Sequence, residues 1–410
     1  MFPICLVVCA VVLLNGASAF FSKARPNFAL AINPLNIEAR VNASIAGLAS
    51  GEDSQTEALL VRGMQFNPVD GRFASLAGIL LEKNGDRPAA ERHYDRALQL
   101  QPTEIQALLH KLDYALKRNE LSNAAVFAER IGRRWPKIWP EIVPALPRLL
   151  ADDTVLMSMA NGFSGSSALR NRFISSLAEN SQTLQHAFKV LMHWHGGGVD
   201  DIDLLVNLLA NRFLQENDYS AASMLSRLTR NQEQAADGGF VYNGAFRQPF
   251  SGNPFDWTAP NTAGVNVSII VTPPAQADQL EDAMKRDGKS NSLAIRFLDS
   301  PVQLRAPGQY LRLAPATYRL EVAYSTERLQ MPKNIKLGIS CLPKSQTVAE
   351  IEFAERDVIA NRKQIELKIP ATGCGLQLLR FYNGAVAESW KNRYSGRLLI
   401  HDVRLSFLGE

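Results

Sequence analysis

Four prolines recur at intervals of 34 residues in the first third of the chain: Pro34, Pro68, Pro102 and Pro136. Proline lacks the backbone N–H that a helix interior requires, so it marks a turn after a helix rather than its continuation. A period of this length is typical of a supersecondary unit that is copied and stacked. The spacing therefore predicts a solenoid of helix pairs.

The segment that ends at Pro102 indicates how the two helices of one unit pack. Its first helix has a small residue and a bulky partner, a glycine stands at the turn, and its second helix has a large residue between two alanines. Small residues let helices approach closely, and the large side chain fills the groove between them. These positions are Gly78, Leu81, Gly85, Ala90, Tyr94, Ala97 and Pro102. In this pattern the segment resembles a tetratricopeptide repeat. The resemblance implies repeats of this kind over residues 22–136 and a solenoid surface that binds a protein partner.

The 34-residue interval is lost after Pro136, but apolar residues still recur at three- and four-residue spacing. Such spacing is typical of amphipathic helices. We therefore expect residues 137–235 to form further paired helices of diverged sequence. The prolines at 136, 140, 144 and 147 predict an irregular connection at the start of this region.

The N-terminal 21 residues are uncharged and strongly apolar, and Lys23 is the first charged residue. Two interpretations remain open for residues 1–21. Ala17-Ser18-Ala19 has the small-x-small pattern of a signal-peptide cleavage site. The segment is also about long enough to be a membrane anchor. The anchor is favoured, because residues 26–33 lead directly from the apolar segment into the first repeat.

The pattern changes at residues 231–242, which are polar and then rich in glycine. From residue 240 onward, short segments alternate between apolar and polar residues, as in half-buried strands. The clearest segments are 265–271, 293–297, 318–322, 335–339, 365–369 and 376–381. We therefore predict an antiparallel β-sandwich over 240–408, so that the whole chain is multidomain, α then β.

Three segments of this region resemble bacterial carbohydrate-binding jelly rolls: VYNGAFRQPFSGNPFDWT, QYLRLAPATYRLEVAY and LLIHDVRL. The resemblance implies a pair of strands joined by a proline-centred turn in the second segment and a closing strand in the third. Arg247 and His401-Asp402 stand where that family often has acidic residues, which puts its structural calcium in doubt. We expect no metal and no cofactor. The chain as a whole resembles bacterial membrane-anchored repeat proteins with such a tail, some of them associated with exopolysaccharide production.

Sugar recognition relies on aromatic rings with polar neighbours. Most aromatic residues of the β-region must form its core, and Trp257 is expected there. Trp390 and Tyr394 lie in a polar stretch before the last strand, and Tyr382 stands beside an Asn-Gly turn. These three are the candidate glycan contacts.

Cys341 and Cys374 are the two cysteines outside the apolar segment. An oxidising compartment would allow them to close a disulfide, whereas two buried thiols are the alternative. The spacing of the two cysteines does not decide between a disulfide and two thiols.

The chain has 44 Lys+Arg against 40 Asp+Glu, which disfavours a dedicated nucleic-acid binder. The function predicted is a non-catalytic scaffold of the cell envelope, either anchored in the inner membrane facing the periplasm or secreted to the periplasm. Its solenoid would bind a protein and its sandwich a glycan. The alternatives are a protein-interaction adaptor with a purely structural sandwich, and a polysaccharide-acting enzyme.

Overall fold

The computed structural model describes residues 2–229, 239–273, 290–354, 357–384 and 392–409, with side chains from residue 11 onward. The chain forms two compact units, Met1–His186 and Ala187–Glu410. Helices occupy the described residues up to 228, and antiparallel sheets follow. Within those described residues, no helix is both long and apolar enough to cross a membrane.

The helices are α1 (Phe2–Phe21), α2 (Pro26–Ile32), α3 (Ile37–Ser50), α4 (Asp53–Phe66), α5 (Gly71–Lys83), α6 (Arg87–Leu100), α7 (Ile105–Lys117), α8 (Leu121–Arg134), α9 (Trp139–Ile142), α10 (Leu146–Leu149), α11 (Asp153–Phe163), α12 (Ser167–Glu179), α13 (Ser181–Gly196), α14 (Asp203–Gln215) and α15 (Tyr219–Leu228). The strands are β1 (Val265–Val271), β2 (Asn291–Ser300), β3 (Gly308–Leu311), β4 (Thr317–Gln330), β5 (Ile335–Leu342), β6 (Gln346–Phe353), β7 (Val358–Lys368), β8 (Leu376–Asn383) and β9 (Tyr394–Gly409).

The periodic prolines lie in one recurrent turn, as the sequence predicts. After α2, α4 and α6 the chain makes a tight turn at the proline, and the next helix begins three residues later. The side chains of Asn36, Asp70 and Glu104 each cap that next helix by accepting a hydrogen bond from a backbone N–H of its first turn, at 3.0, 3.0 and 2.7 Å. Each cap satisfies a donor that the helix itself leaves unpaired. The caps therefore repeat at the same 34-residue interval as the prolines.

A second recurrent turn joins the two helices within each unit. Gly51, Gly85 and Asn119 occupy it with φ of 80°, 87° and 60°. This left-handed conformation suits glycine and, among the other residues, asparagine. The units on either side of the central one therefore keep its backbone geometry.

The central unit packs around Tyr94 of α6, which is fully buried. A Cβ atom on Gly78 of α5 would lie 2.6 Å from Cε1 of this ring, so the glycine is required for the approach of the two helices. The Tyr94 hydroxyl donates to Glu82 at 3.0 Å, and the ring stacks on His110 of α7 with centroids 4.7 Å apart. Ala90 and Ala97 are also fully buried, and Leu81 packs against the same cluster.

The region after Pro136 begins with the expected irregular connection, in which α9, a short 3-10 turn at Val143–Ala145 and α10 follow one another. Longer helices resume at α11. The last pair, α14 and α15, is joined through Asn217, with φ of 61°, and Asp218, whose side chain caps α15. The boundary between the two compact units lies within α13, so α14 and α15 belong to the unit that contains the sheets.

Two antiparallel sheets form the C-terminal region, as predicted. One has the strand order β1-β2-β9-β4-β7 and the other β3-β8-β5-β6. All six predicted strands overlap observed ones, and the strands expected by resemblance at the start of QYLRLAPATYRLEVAY and in LLIHDVRL fall in β3 and β9. β6 was not predicted. The strand pair expected in QYLRLAPATYRLEVAY is wrong. β3 pairs with β8 and β4 pairs with β7 and β9, so the proline-containing turn joins the two sheets.

The core of the sandwich is formed by the alternate residues that point between the sheets. Trp257 is fully buried there, as expected, between Phe246 and Phe381 at ring distances of 5.5 and 6.0 Å. Cys341 at the end of β5 and Cys374 before β8 form a disulfide, with Cα atoms 4.7 Å apart. The disulfide ties together two neighbouring strands of the four-stranded sheet.

Candidate functional site

The outward face of the four-stranded sheet carries an aromatic ring among charged side chains. The inward residues of β5 and β8, such as Leu337 and Phe381, belong to the core. Side chains alternate along a strand, so their neighbours point outward. The outward residues at the centre of the sheet are Lys336, Gly338, Glu350, Glu352, Arg380 and Tyr382. We refer to these six residues as the Tyr382 face.

The strand register brings the members of the Tyr382 face together in two rows. Tyr382 of β8 is paired with Lys336 of β5, and Lys336 with Glu352 of β6. In the next row, Gly338 stands between Arg380 and Glu350.

Tyr382 leans across the glycine of the second row. A Cβ atom on Gly338 would lie 2.8 Å from its Cε1 atom. Its hydroxyl donates a short hydrogen bond to Glu350, and the guanidinium carbon of Arg380 lies 5.6 Å from the ring centroid. The ring is half-buried. It therefore offers a fixed apolar surface with polar groups at its edges.

The charges of the Tyr382 face are fixed by mutual contacts. Lys336 Nζ lies 2.9 Å from a carboxylate oxygen of Glu350 and 2.9 Å from one of Glu352. The hydrogen bond from Lys336 is the main cause that lowers the pKa of Glu350 and also that of Glu352. The same contacts, that to Glu350 first, raise the pKa of Lys336. Burial, and then the bond to Glu350, raises the pKa of Tyr382 to about 12.

These shifts limit the chemistry that the face can perform at neutral pH. Both carboxyl groups are ionised, and the tyrosine and lysine keep their protons. Hydrolysis of a glycosidic bond by the usual pair of carboxyl groups requires one that still holds its proton near neutral pH. The arrangement instead suits binding, since the ring provides contact area and the charged groups provide hydrogen bonds.

One donor of the face has no partner. The Nε atom of Arg380 is buried and makes no hydrogen bond within the part of the chain that is described. A buried donor without a partner costs free energy.

The other two candidate contacts differ from Tyr382. Trp390 lies outside the described residues. The expectation that Tyr394 is exposed is wrong: it is the first residue of β9 and fully buried. Its ring packs near Phe297 at 5.6 Å, and its hydroxyl donates to the carbonyl of Lys333 at 3.2 Å. Tyr394 is therefore part of the core.

Several residues of the Tyr382 face were not identified from the sequence. Lys336 and Arg380 occupy the polar positions of strands that were predicted, so the alternation was a usable signal. Glu350 and Glu352 lie on β6, which was not predicted. Gly338 can be recognised as part of the face only from the strand register, which places it beside the ring of Tyr382.

No protein-family model matches this sequence, and no curated protein matches it. Solved structures with a similar arrangement include one described as "CBM4 structure and function", at 15% identity and a TM-score of 0.29, covering 41% of this chain and 99% of that chain. A second is the PilF protein of Pseudomonas aeruginosa, at 11% identity and a TM-score of 0.26, covering 47% of this chain and 89% of that chain. A third is TmCBM61 in complex with β-1,4-galactotriose, at 15% identity and a TM-score of 0.26, covering 41% of this chain and 98% of that chain. At TM-scores this low, the likenesses carry no conclusion about the function of this chain.

Proposed function

We propose that this chain is a non-catalytic scaffold that binds a glycan on the Tyr382 face and a protein partner on its helical repeats. The observation that carries the proposal is the half-buried ring of Tyr382, framed by Arg380, Lys336 and Glu350 on a rigid sheet. A pyranose ring presents a C–H surface that packs on an aromatic face and hydroxyls that both donate and accept. Ionised carboxylates accept hydrogen bonds and the arginine donates them, so the face complements such a ligand.

The non-catalytic part of the proposal rests on the protonation states. Lys336 holds Glu350 and Glu352 ionised, which leaves the face without an acid to protonate a leaving group. Turnover of a bound polysaccharide by the purified protein would argue for the enzyme alternative.

The protein-binding part of the proposal is supported by exposed apolar side chains in the first repeat. Large hydrophobic residues that are more than one third exposed are frequent between residues 35 and 69: Leu35, Ile37, Ile45, Val61, Phe66 and Val69. Concentrated apolar exposure is typical of a surface that a partner covers. The same observation favours the alternative of a protein-interaction adaptor with a structural sandwich.

We place the protein outside the cytosol, in the cell envelope. The Cys341–Cys374 disulfide supports this, because such bonds persist in oxidising compartments. The end of α1 also contributes to the first repeat. The buried hydroxyl of Ser18 donates to the carbonyl of Ala29 at 2.8 Å and accepts from Asn36 at 2.8 Å. Cleavage after Ala19 would remove these contacts, so we favour a retained N-terminal helix. Cell fractionation and mass spectrometry of the mature N-terminus test both statements.

Glycan binding is tested by immobilising a panel of neutral polysaccharides and comparing two variants of the full chain. Tyr382→Ala removes the ring, and Tyr382→Phe keeps the ring but removes the hydroxyl that bonds Glu350. We expect binding to be lost with alanine and largely kept with phenylalanine. An absence of glycan binding by the unmodified protein, together with a co-purifying partner that requires residues 34–136, would instead favour the adaptor.

A further inference from the structure

A groove on the outward face of the five-stranded sheet is lined by three arginines. It has a volume of about 800 Å³. Its charged lining consists of Arg296, Glu327, Arg328, Asp357 and Arg397, and we refer to these five residues as the arginine groove. Arg296 lies on β2, Arg397 on β9, Glu327 and Arg328 on β4, and Asp357 directly before β7. These four strands are consecutive in the sheet. Three strand spacings correspond to roughly 14 Å, which accommodates a segment of an extended polymer.

The register places two of the arginines directly opposite each other. Arg296 of β2 is paired with Arg397 of β9, and Arg397 is paired in turn with Glu327 of β4. Their chain neighbours Phe297 and Leu398 belong to the core, so both guanidinium groups face outward. Like charges at directly opposed positions of an antiparallel pair are destabilising. A bound anion would relieve this repulsion.

The carboxylates of the groove do not neutralise it. Glu327 forms an ion pair with Arg397 at 2.9 Å. Asp357 accepts a hydrogen bond from the backbone N–H of Arg328 at 2.7 Å. Among the described residues, the guanidinium groups of Arg296 and Arg328 have no ion pair and no hydrogen bond. The groove therefore holds two exposed cations available to a ligand.

The backbone of the groove is also unusual. Arg328 has a φ of 48°, a left-handed conformation that costs free energy for residues other than glycine. Beside it, Gly396 has a φ of 88°, and a Cβ atom there would lie 2.2 Å from the carbonyl oxygen of Arg328. β9 and β4 thus cross closely at a bulge, which holds Arg328 at the rim of the groove.

We infer that the arginine groove binds the carboxylate groups of an acidic polysaccharide, at a site separate from the Tyr382 face. The inference rests on the proposed glycan-binding function and specifies the ligand class. A planar guanidinium binds a carboxylate through two parallel hydrogen bonds. The acidic side chains between the arginines accept sugar hydroxyls and repel a densely charged phosphate backbone. The groove therefore favours a uronic-acid polymer, with its spaced carboxylates, over a nucleic acid.

The experiment compares the affinity of the full chain for polygalacturonate and for the same polymer with methyl-esterified carboxyl groups. These two ligands share their sugar backbone, and the ester replaces each charged carboxylate by an uncharged methyl ester. We expect binding of the acidic polymer, weakened by added salt, and at least about tenfold weaker binding of the ester. Equal affinity for both polymers would overturn the inference, and so would preferential binding of duplex DNA.

The variants Arg296→Gln and Arg328→Gln test the residues. Each should weaken polygalacturonate binding about tenfold. Arg319→Gln is the matched control, since Arg319 lies on β4 outside the groove and pairs with Glu366. The melting temperature of Arg296→Gln should not fall, because the substitution removes a repulsion. Lower affinity with lower stability would indicate a structural role and contradict the inference.

Tyr382→Ala distinguishes this inference from the proposed function. It should abolish neutral glycan binding and leave polygalacturonate binding intact. If Arg296→Gln has no effect while Tyr382→Ala abolishes all glycan binding, the groove is not a site and the proposed function stands. If Tyr382→Ala changes the binding of no glycan while Arg296→Gln weakens polygalacturonate binding, the arginine groove is a binding site and the proposed role of the Tyr382 face is wrong.

Discussion

The ring of Tyr382 leans over Gly338, where a Cβ atom would stand 2.8 Å from Cε1 of the ring. The two residues lie on neighbouring strands, in adjacent rows of the register. Because Gly338 has no side chain, the ring of Tyr382 can occupy this position.

Gly338→Ala should displace the ring and weaken glycan binding nearly as much as Tyr382→Ala. The bond to Glu350 holds the ring in place in the unmodified protein, but the half-buried ring can move outward when a methyl group displaces it, so the stability of the sandwich should fall by about 1 kcal/mol, the low end of the cost of overpacking. Isothermal titration and thermal unfolding measure the two effects. Gly384→Ala is the control, because a Cβ there lies 3.4 Å from the nearest atom, in Lys333. Unchanged affinity in Gly338→Ala would show that the ring position is irrelevant to binding.

Gly78→Ala should destabilise the helical unit by about 1–2 kcal/mol. The new methyl would lie 2.6 Å from Cε1 of Tyr94, a buried ring held by Glu82 and His110 that cannot retreat. This cost exceeds the gain of up to about 1 kcal/mol that alanine brings to a helix interior. Chemical denaturation followed by circular dichroism measures the difference. Gly165→Ala, where a Cβ meets no atom within 4 Å, should unfold like the unmodified protein.

Removal of the Cys341–Cys374 disulfide should lower the stability of the sandwich by about 3–4 kcal/mol, the value expected for a loop of 33 residues. The reason is that the reduced chain has more freedom when unfolded. Denaturation of the protein with and without reductant measures the effect. The double variant Cys341→Ser/Cys374→Ser should match the reduced protein and be insensitive to reductant. Identical transitions in all samples would contradict this expectation.

The stability of the sandwich should decrease as the pH falls from about 6.5 to about 4. His401 is buried between Ser292 and Ser325, whose hydroxyl oxygens lie 2.7 Å from its two ring nitrogens. Burial lowers the pKa of His401 to about 4. The unfolded chain therefore binds the proton more readily than the folded one across this interval, which costs up to about 3 kcal/mol at its acid end.

His401→Asn isolates the contribution of the histidine to this pH dependence. The neighbouring Asp402 has a pKa raised by burial, so its own effect on stability has the opposite sign. Because Asp402 is present in both proteins, the difference between their unfolding curves reports on His401. We expect this difference to vary with pH between about 4 and 6.5. A difference that is constant across that interval would show that His401 titrates normally in the folded protein.

The helical repeats were predictable because their signals are local. Pro102 ends a unit, Gly85 makes its turn, and Gly78 and Tyr94 are close in sequence and in space. Each of these positions performs its role within one 34-residue segment. The alternation of the strands was equally local, and the alternation of Glu350-Ile351-Glu352-Phe353 was available for β6 as well.

Strand pairing and exposure were less predictable because they depend on distant residues. Arg296 and Arg397 are 101 positions apart, and only the register of β2 and β9 places them opposite each other. Tyr394 follows polar residues, but it is the inward residue with which β9 begins. A shift of one residue in register would have exposed it. No local pattern distinguishes these two outcomes.

The caps at Asn36, Asp70 and Glu104 have an evolutionary consequence. Each 34-residue unit contains its own helix cap, its own left-handed turn and its own terminating proline. None of these three features is supplied by a neighbouring unit. Duplication or loss of 34 codons would therefore lengthen or shorten the array without removing a helix start, a turn or a terminating proline from any other copy, and only side-chain contacts between units, such as that of Tyr94 with His110, would have to be remade at the junction. Selection can therefore change the length of the solenoid by one repeat unit at a time.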